Sequence, residues 1–135
     1  MSVMLPVKAR DPKRLTRRLT PRRENGVYTL RVCKGLECFV CIMHSPPELR
    51  ISQVRVKDPL SGLPMRLPLV EAHYCGERIW ISRWEGGMMV VDEVKCPITL
   101  KGDCLYVKGT QVKCGITLDE AIEYVFRYCE GRRKL

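Results

Sequence analysis

Eight of the first 24 residues are lysine or arginine, namely Lys8, Arg10, Lys13, Arg14, Arg17, Arg18, Arg22 and Arg23, against only Asp11 and Glu24. Cations at this density neutralise phosphates and release the counterions condensed on a nucleic acid, which gives affinity independent of base sequence. Arginine outnumbers lysine six to two here, and its planar fork matches phosphate oxygens in pairs. A second basic cluster is formed by Arg132, Arg133 and Lys134. Residues 25–131 hold 13 basic and 13 acidic side chains, so the formal charge of +9 sits in these two clusters. Charge concentrated this way points to attachment to something anionic rather than to general solubility.

The eight cysteines are many for an intracellular chain of 135 residues. Thiols of mesophiles stay reduced in the cytosol, whereas intracellular proteins of hyperthermophiles carry disulfides. Together with only two glutamines, this suggests a hyperthermophile source. The spacing Cys33-x4-Cys38-x2-Cys41, with Cys75 further on, matches that of plant-type two-iron two-sulfur ligands. However, these cysteines lie in what reads as a tight hairpin, with no loop to wrap a cluster. A zinc site lacks a clean pair of CxxC elements. Cross-strand disulfides fit better. If Lys108-Gly109-Thr110 is a three-residue turn, Val107 faces Gln111 and Cys104 faces Cys114, while Cys33 and Cys38 flank the turn of the first hairpin. No cofactor or bound metal is expected.

For catalysis the best pattern is Asp92-Glu93-Val94-Lys95 at the end of an apolar strand. Its Glu93-x-Lys95 pair resembles the metal-and-lysine half of restriction-like nuclease sites, in which carboxylates hold Mg²⁺ and lysine positions water. The further acid such a site needs on the preceding strand is missing between Trp80 and Trp84. His44 and His73 are the only histidines, and no phosphate loop, nucleophile elbow or HExxH occurs. Catalysis is not expected. Trp80 and Trp84 share a strand face, which suits either base stacking or, more simply, the core.

These residues need elements to place them. Asp11-Pro12 has the form of a helix start and Pro21 of a stop, with Leu15 and Leu19 one turn apart. So short a helix is unstable alone, and the segment reads as an arm that orders on a partner or on the body. From Val27 the pattern alternates, giving a hairpin over Val27–Val32 and Cys38–Met43 and strands over 49–56, 65–74, 78–84 and 88–94. Pro68 places the fourth of these at a sheet edge. Residues 96–114 form a meander. Thr117-x-x-Glu120 is a capping box opening an amphipathic helix with Leu118, Ala121, Ile122, Val125 and Cys129 on one face and Gly131 at its end.

The sequence therefore predicts an α+β fold: an antiparallel sheet of about five to seven strands backed by a C-terminal helix, with residues 25–131 as the single domain, 1–24 as a basic arm and 132–135 as a basic tip. The expected function is non-enzymatic binding of DNA or RNA through Arg10, Lys13, Arg14, Arg17, Arg18, Arg22, Arg23, Arg132, Arg133 and Lys134, as in a ribonucleoprotein, chromatin-like or viral nucleoprotein assembly. The alternatives are an assembly protein whose arm docks on another subunit through Leu15 and Leu19, and a metal-dependent nuclease at Glu93 and Lys95. With no signal peptide or membrane-length apolar run, the expected location is the cytoplasm, or a virion if the source is viral, with no membrane partner.

Overall fold

Residues 2–24, whose charge suggests a projecting arm, are built into the body in the computed structural model, which describes residues 2–34 and 36–133. Strand β1 (Ser2–Ala9) pairs antiparallel with β9 (Met88–Lys95), from Ser2 opposite Lys95 to Ala9 opposite Met89. Helix α1 (Pro12–Arg18) starts as the sequence dictates, with the Asp11 carboxylate accepting the Arg14 N–H at 2.9 Å and Pro12 in the first turn. It is stable because Leu15 and Leu19 are buried in the core. Strand β2 (Arg22–Glu24) then pairs with β3 (Val27–Lys34).

Among the described residues the strands form three antiparallel sheets rather than the one expected. The largest has six strands in the order β12-β11-β10-β4-β3-β2, with β4 at Glu37–Met43, β10 at Ile98–Lys101, β11 at Cys104–Val107 and β12 at Thr110–Lys113. Its central strands β3 and β4 are covered on both faces. Val27, Ile42, Ile98 and Leu105 pack with Ala121 and Val125 of α2 (Leu118–Arg133), while Leu30, Val32, Phe39, Cys41 and Met43 face the larger core shared with β1, α1 and β9. Helix α2 opens on the anticipated capping box: Thr117 Oγ1 accepts the Glu120 N–H at 3.3 Å and donates to the Glu120 carboxylate at 3.2 Å. It runs through Gly131, which does not end it.

The second sheet is β1-β9-β8 (β8, Arg83–Glu85), and the third is β5-β6-β7, with β5 at Glu48–Lys57, β6 at Pro64–Tyr74 and β7 at Glu77–Ile81. Strands β7 and β8 are one run broken at buried Ser82, whose Oγ and N–H bond to the backbone of Val70. Pro68 lies in the central strand of its sheet, not at an edge. It is tolerated because β7 pairs with β6 only from Glu71 onward, and beyond that the Trp84 indole N–H bonds the Pro68 carbonyl at 3.0 Å. Trp80 is buried and Trp84 packs on the core, which rules out an exposed stacking platform.

All eight cysteines are paired, as Cys33–Cys38, Cys41–Cys96, Cys75–Cys129 and Cys104–Cys114. The iron-sulfur and zinc spacing around Cys33, Cys38, Cys41 and Cys75 is thereby divided among three bridges. Cys41–Cys96 closes the longest loop, with a sequence separation of 55, so chain entropy assigns it about 4 kcal/mol. The double variant Cys41→Ala, Cys96→Ala should lose stability on that scale in urea unfolding under non-reducing conditions.

Candidate functional site

The cations of residues 8–23 lie on folded elements, and all eight are exposed. Within α1, Lys13, Arg14, Arg17 and Arg18 span an arc of about 140° at 3.6 residues per turn, and Leu15 and Leu19 occupy the opposite side. Burying Leu15 thus fixes which way the charges face. Arg18 Nη1 also donates to the Lys8 carbonyl at 2.8 Å, tying helix to strand. Arg22 and Arg23 are exposed on β2, at an edge of the six-stranded sheet. None of the eight is ion-paired among the described residues, whereas Arg50, Arg78, Arg83, Lys101, Lys108, Lys113 and Arg127 all have acidic partners.

Sequence reasoning missed a second cationic element. Strands β5 and β6 form a long ribbon, in continuous register from Glu48 opposite His73 to Lys57 opposite Pro64, and every residue of β5 is exposed. Residues directly opposite one another share a face. One face carries Leu49, Ile51, Gln53, Arg55 and Lys57, with Val70 and Arg66 opposite Ile51 and Arg55. Ile51 lines a cleft of about 440 Å³ together with Asp11, Pro12, Lys13, Arg14 and Arg17. Alternation puts Arg55, Arg66 and Lys57 on the ribbon face that carries Ile51, four to six residues of strand beyond it, or about 13–20 Å. The other ribbon face holds Val54, Val56, Met65 and Leu67.

Asp58 shapes the ribbon tip by accepting the Leu60 N–H at 3.1 Å and the Ser61 hydroxyl at 2.9 Å, with Gly62 in the left-handed region. The Leu60 N–H first, and then Ser61, hold the Asp58 carboxyl below its ordinary value. A depressed pKa stabilises the ordered tip above the unfolded value and loses that contribution as pH falls through the folded one. The protection factor of the Leu60 amide, its exchange rate corrected for the intrinsic rate at each pH, should therefore fall on acidification below the usual carboxylate range, and Asp58→Ala should remove the dependence.

A separate cluster joins His44, which follows β4, to Tyr74 and Cys75 at the β6–β7 turn and Cys129 on α2. His44 Nδ1 is 2.6 Å from the Tyr74 hydroxyl and 3.2 Å from Cys129 Sγ. The Tyr74 oxygen also accepts the His44 backbone N–H at 2.9 Å. Burial pushes the Tyr74 phenol up to about 12, opposed by that N–H, so it stays protonated at neutral pH. The four residues meet only in the fold, across 85 positions of chain between His44 and Cys129.

Glu93 and Lys95 line a cleft of about 350 Å³ with Glu71, His73, Arg78 and Trp80. Glu71 is engaged by Arg78 at 3.2 Å, and among the described residues no group of three metal donors includes Glu93. The side chains of Arg132 and Arg133, and Lys134 altogether, lie outside the described residues. No helix among the described residues is long and apolar enough to cross a membrane. No protein family, curated protein or solved structure matches the chain. Fold alone defines its class: a disulfide-stapled α+β chain in which the cations of α1 have no acidic partner among the described residues.

Proposed function

We propose that the chain is a non-enzymatic nucleic-acid-binding protein, with Lys13, Arg14 and Arg17 of α1 and Arg55, Lys57 and Arg66 of the ribbon on phosphates of one polymer. The observation that carries this reading is the absence of acidic partners for the cations of α1 among the described residues, on a helix whose orientation the core fixes. Preorganised cations lose little freedom on binding, so more of their interaction with phosphate is realised as affinity. Arg55 opposite Arg66 adds support, because like charges across a ribbon destabilise it unless an anion lies between them. Arg10, Arg18, Arg22 and Arg23 extend the same charge toward β2.

A two-stranded ribbon fits the major groove of B-DNA, and the deep, narrow major groove of A-form RNA excludes it. Duplex DNA is accordingly the preferred polymer. Fluorescence anisotropy with labelled duplex DNA, duplex RNA and single-stranded DNA over a range of salt tests this. Six phosphate contacts on duplex DNA give a slope of log K on log salt of about −5. Negligible binding to all three at low salt would remove the proposal.

The second reading, an assembly protein, rests on a different observation. Leu15 and Leu19 are committed to the chain's own core, but β5 offers an edge strand of ten exposed residues, a natural template for another chain. Sedimentation that depends on protein concentration, unaffected by salt, would favour it.

A further inference from the structure

The His44, Cys75 and Cys129 cluster plays no part in the binding surface and carries chemistry of its own. One imidazole nitrogen and two sulfurs lie within 4.8 Å of one another, and no other such group of metal donors occurs among the described residues. Soft thiolates with imidazole are the donor set of zinc-class ions, and three protein donors leave one tetrahedral position for water. The three come from separate elements, so whatever joins them ties α2 to the β6–β7 turn and to the end of β4.

What distinguishes Cys75–Cys129 is the imidazole beside it, with His44 Nδ1 3.2 Å from Cys129 Sγ. Cys75 and Gly76 form the two-residue β6–β7 turn, both in the left-handed region that such a turn requires. Cys75 is half-buried and lines a cleft of about 280 Å³ with Ser45, Pro46, Glu48 and Arg50, while Cys129 is buried. Cys41–Cys96 has both partners buried, and Cys33–Cys38 and Cys104–Cys114 are more exposed but have no histidine beside them among the described residues.

We propose that Cys75–Cys129 is a reversible disulfide whose reduced form is a zinc-class metal site, held by the two thiolates and His44 Nδ1. A dithiol supplies two electrons and two protons, the Cys75–Cys129 bond breaks to two thiols, and the dithiol becomes a disulfide. The divalent ion then displaces both thiol protons and takes the Nδ1 lone pair in place of the Tyr74 hydroxyl. Tyr74 keeps its bond from the His44 backbone N–H and so holds the histidine in position. Disulfide and metal are mutually exclusive staples at one point of the fold, and the redox state selects between them.

The full chain, reduced with a dithiol and transferred anaerobically into a phosphine reductant, is titrated with Co²⁺ as the probe. One equivalent should bind with thiolate-to-cobalt charge-transfer absorption and the visible bands of four-coordinate cobalt, which Zn²⁺ bleaches. The oxidised chain should bind none. His44→Ala should weaken binding by at least about tenfold, since even loss of a ligand's hydrogen-bond partner costs 10- to 100-fold. A variant with serine at Cys33, Cys38, Cys104 and Cys114 should bind as the parent does. Alkylation with mass mapping establishes that Cys75 and Cys129 are reduced in the parent and in His44→Ala. Equal binding by His44→Ala, no charge-transfer band when both thiols are alkylatable, or a Cys75–Cys129 bond that resists reduction in the folded chain each overturns the proposal.

Discussion

Deletion of residues 1–24 is expected to leave a chain with no cooperative unfolding transition. The deletion removes β1, and with it one of the two partners of β9, whose Met89, Val91 and Val94 are fully buried. It also removes Leu15 and Leu19 from the same core. Truncating one buried leucine to alanine costs about 2–5 kcal/mol, against a total domain stability of about 5–15 kcal/mol. Losing both leucines and a paired strand therefore exceeds what the remainder can supply. Circular dichroism and urea unfolding of residues 25–135 decide the matter. A sharp transition near that of the full chain would mean that the segment is dispensable and behaves as an arm after all. The point variant Leu15→Ala should remain folded and lose about 2–5 kcal/mol, and it should lower nucleic-acid affinity as well by freeing α1 to fray.

That outcome bears on how far the sequence can be read. Asp11, Pro12, Leu15 and Leu19 announce a short helix with one apolar edge, and the structure has it. What covers that edge depends on β1, β3 and β9 meeting over it, a tertiary arrangement that no local signal encodes. Clustered charge then made an integral segment look like an attachment. The capping box at Thr117 and Glu120 and the alternation from Val27 were legible because each is a local signal: cap chemistry in one case, a two-residue period in the other.

Other readings were right by cancellation or wrong through context. Cys104 does pair with Cys114, yet the turn is the two-residue Lys108-Gly109, with both residues in the left-handed region and Val107 opposite Thr110. A bulge at Val112 of β12, opposite the Leu105–Tyr106 step, inserts the residue that the shorter turn omits, which restores the register. Strands β5 and β6 are legible in the sequence but their cation cluster is not, because Arg55 and Arg66 are eleven positions apart and become neighbours only through pairing. The His44–Cys75–Cys129 cluster escaped for the same reason.

Replacing Arg14, Arg17, Arg55 and Arg66 by glutamine should weaken binding to duplex DNA steeply at low salt and flatten its salt dependence. Each phosphate contact contributes about 0.9 to the slope, so the quadruple variant should lose roughly 3 to 4 from it. Two pairwise variants locate the effect: Arg14→Gln with Arg17→Gln tests α1, and Arg55→Gln with Arg66→Gln tests the ribbon. If both elements contact one duplex, each pair should remove about half of the lost slope. An unchanged slope in the ribbon pair would confine binding to α1 and β2. Stability separates function from misfolding here. Arg55 and Arg66 are like charges directly opposite on an exposed ribbon, so neutralising them relieves repulsion and should raise the urea midpoint while affinity falls. Opposite signs in the two measurements are what a residue retained for binding gives, because the fold tolerates its repulsion only for the contact it makes. A loss of stability in step with affinity would instead assign both arginines to the structure of the ribbon.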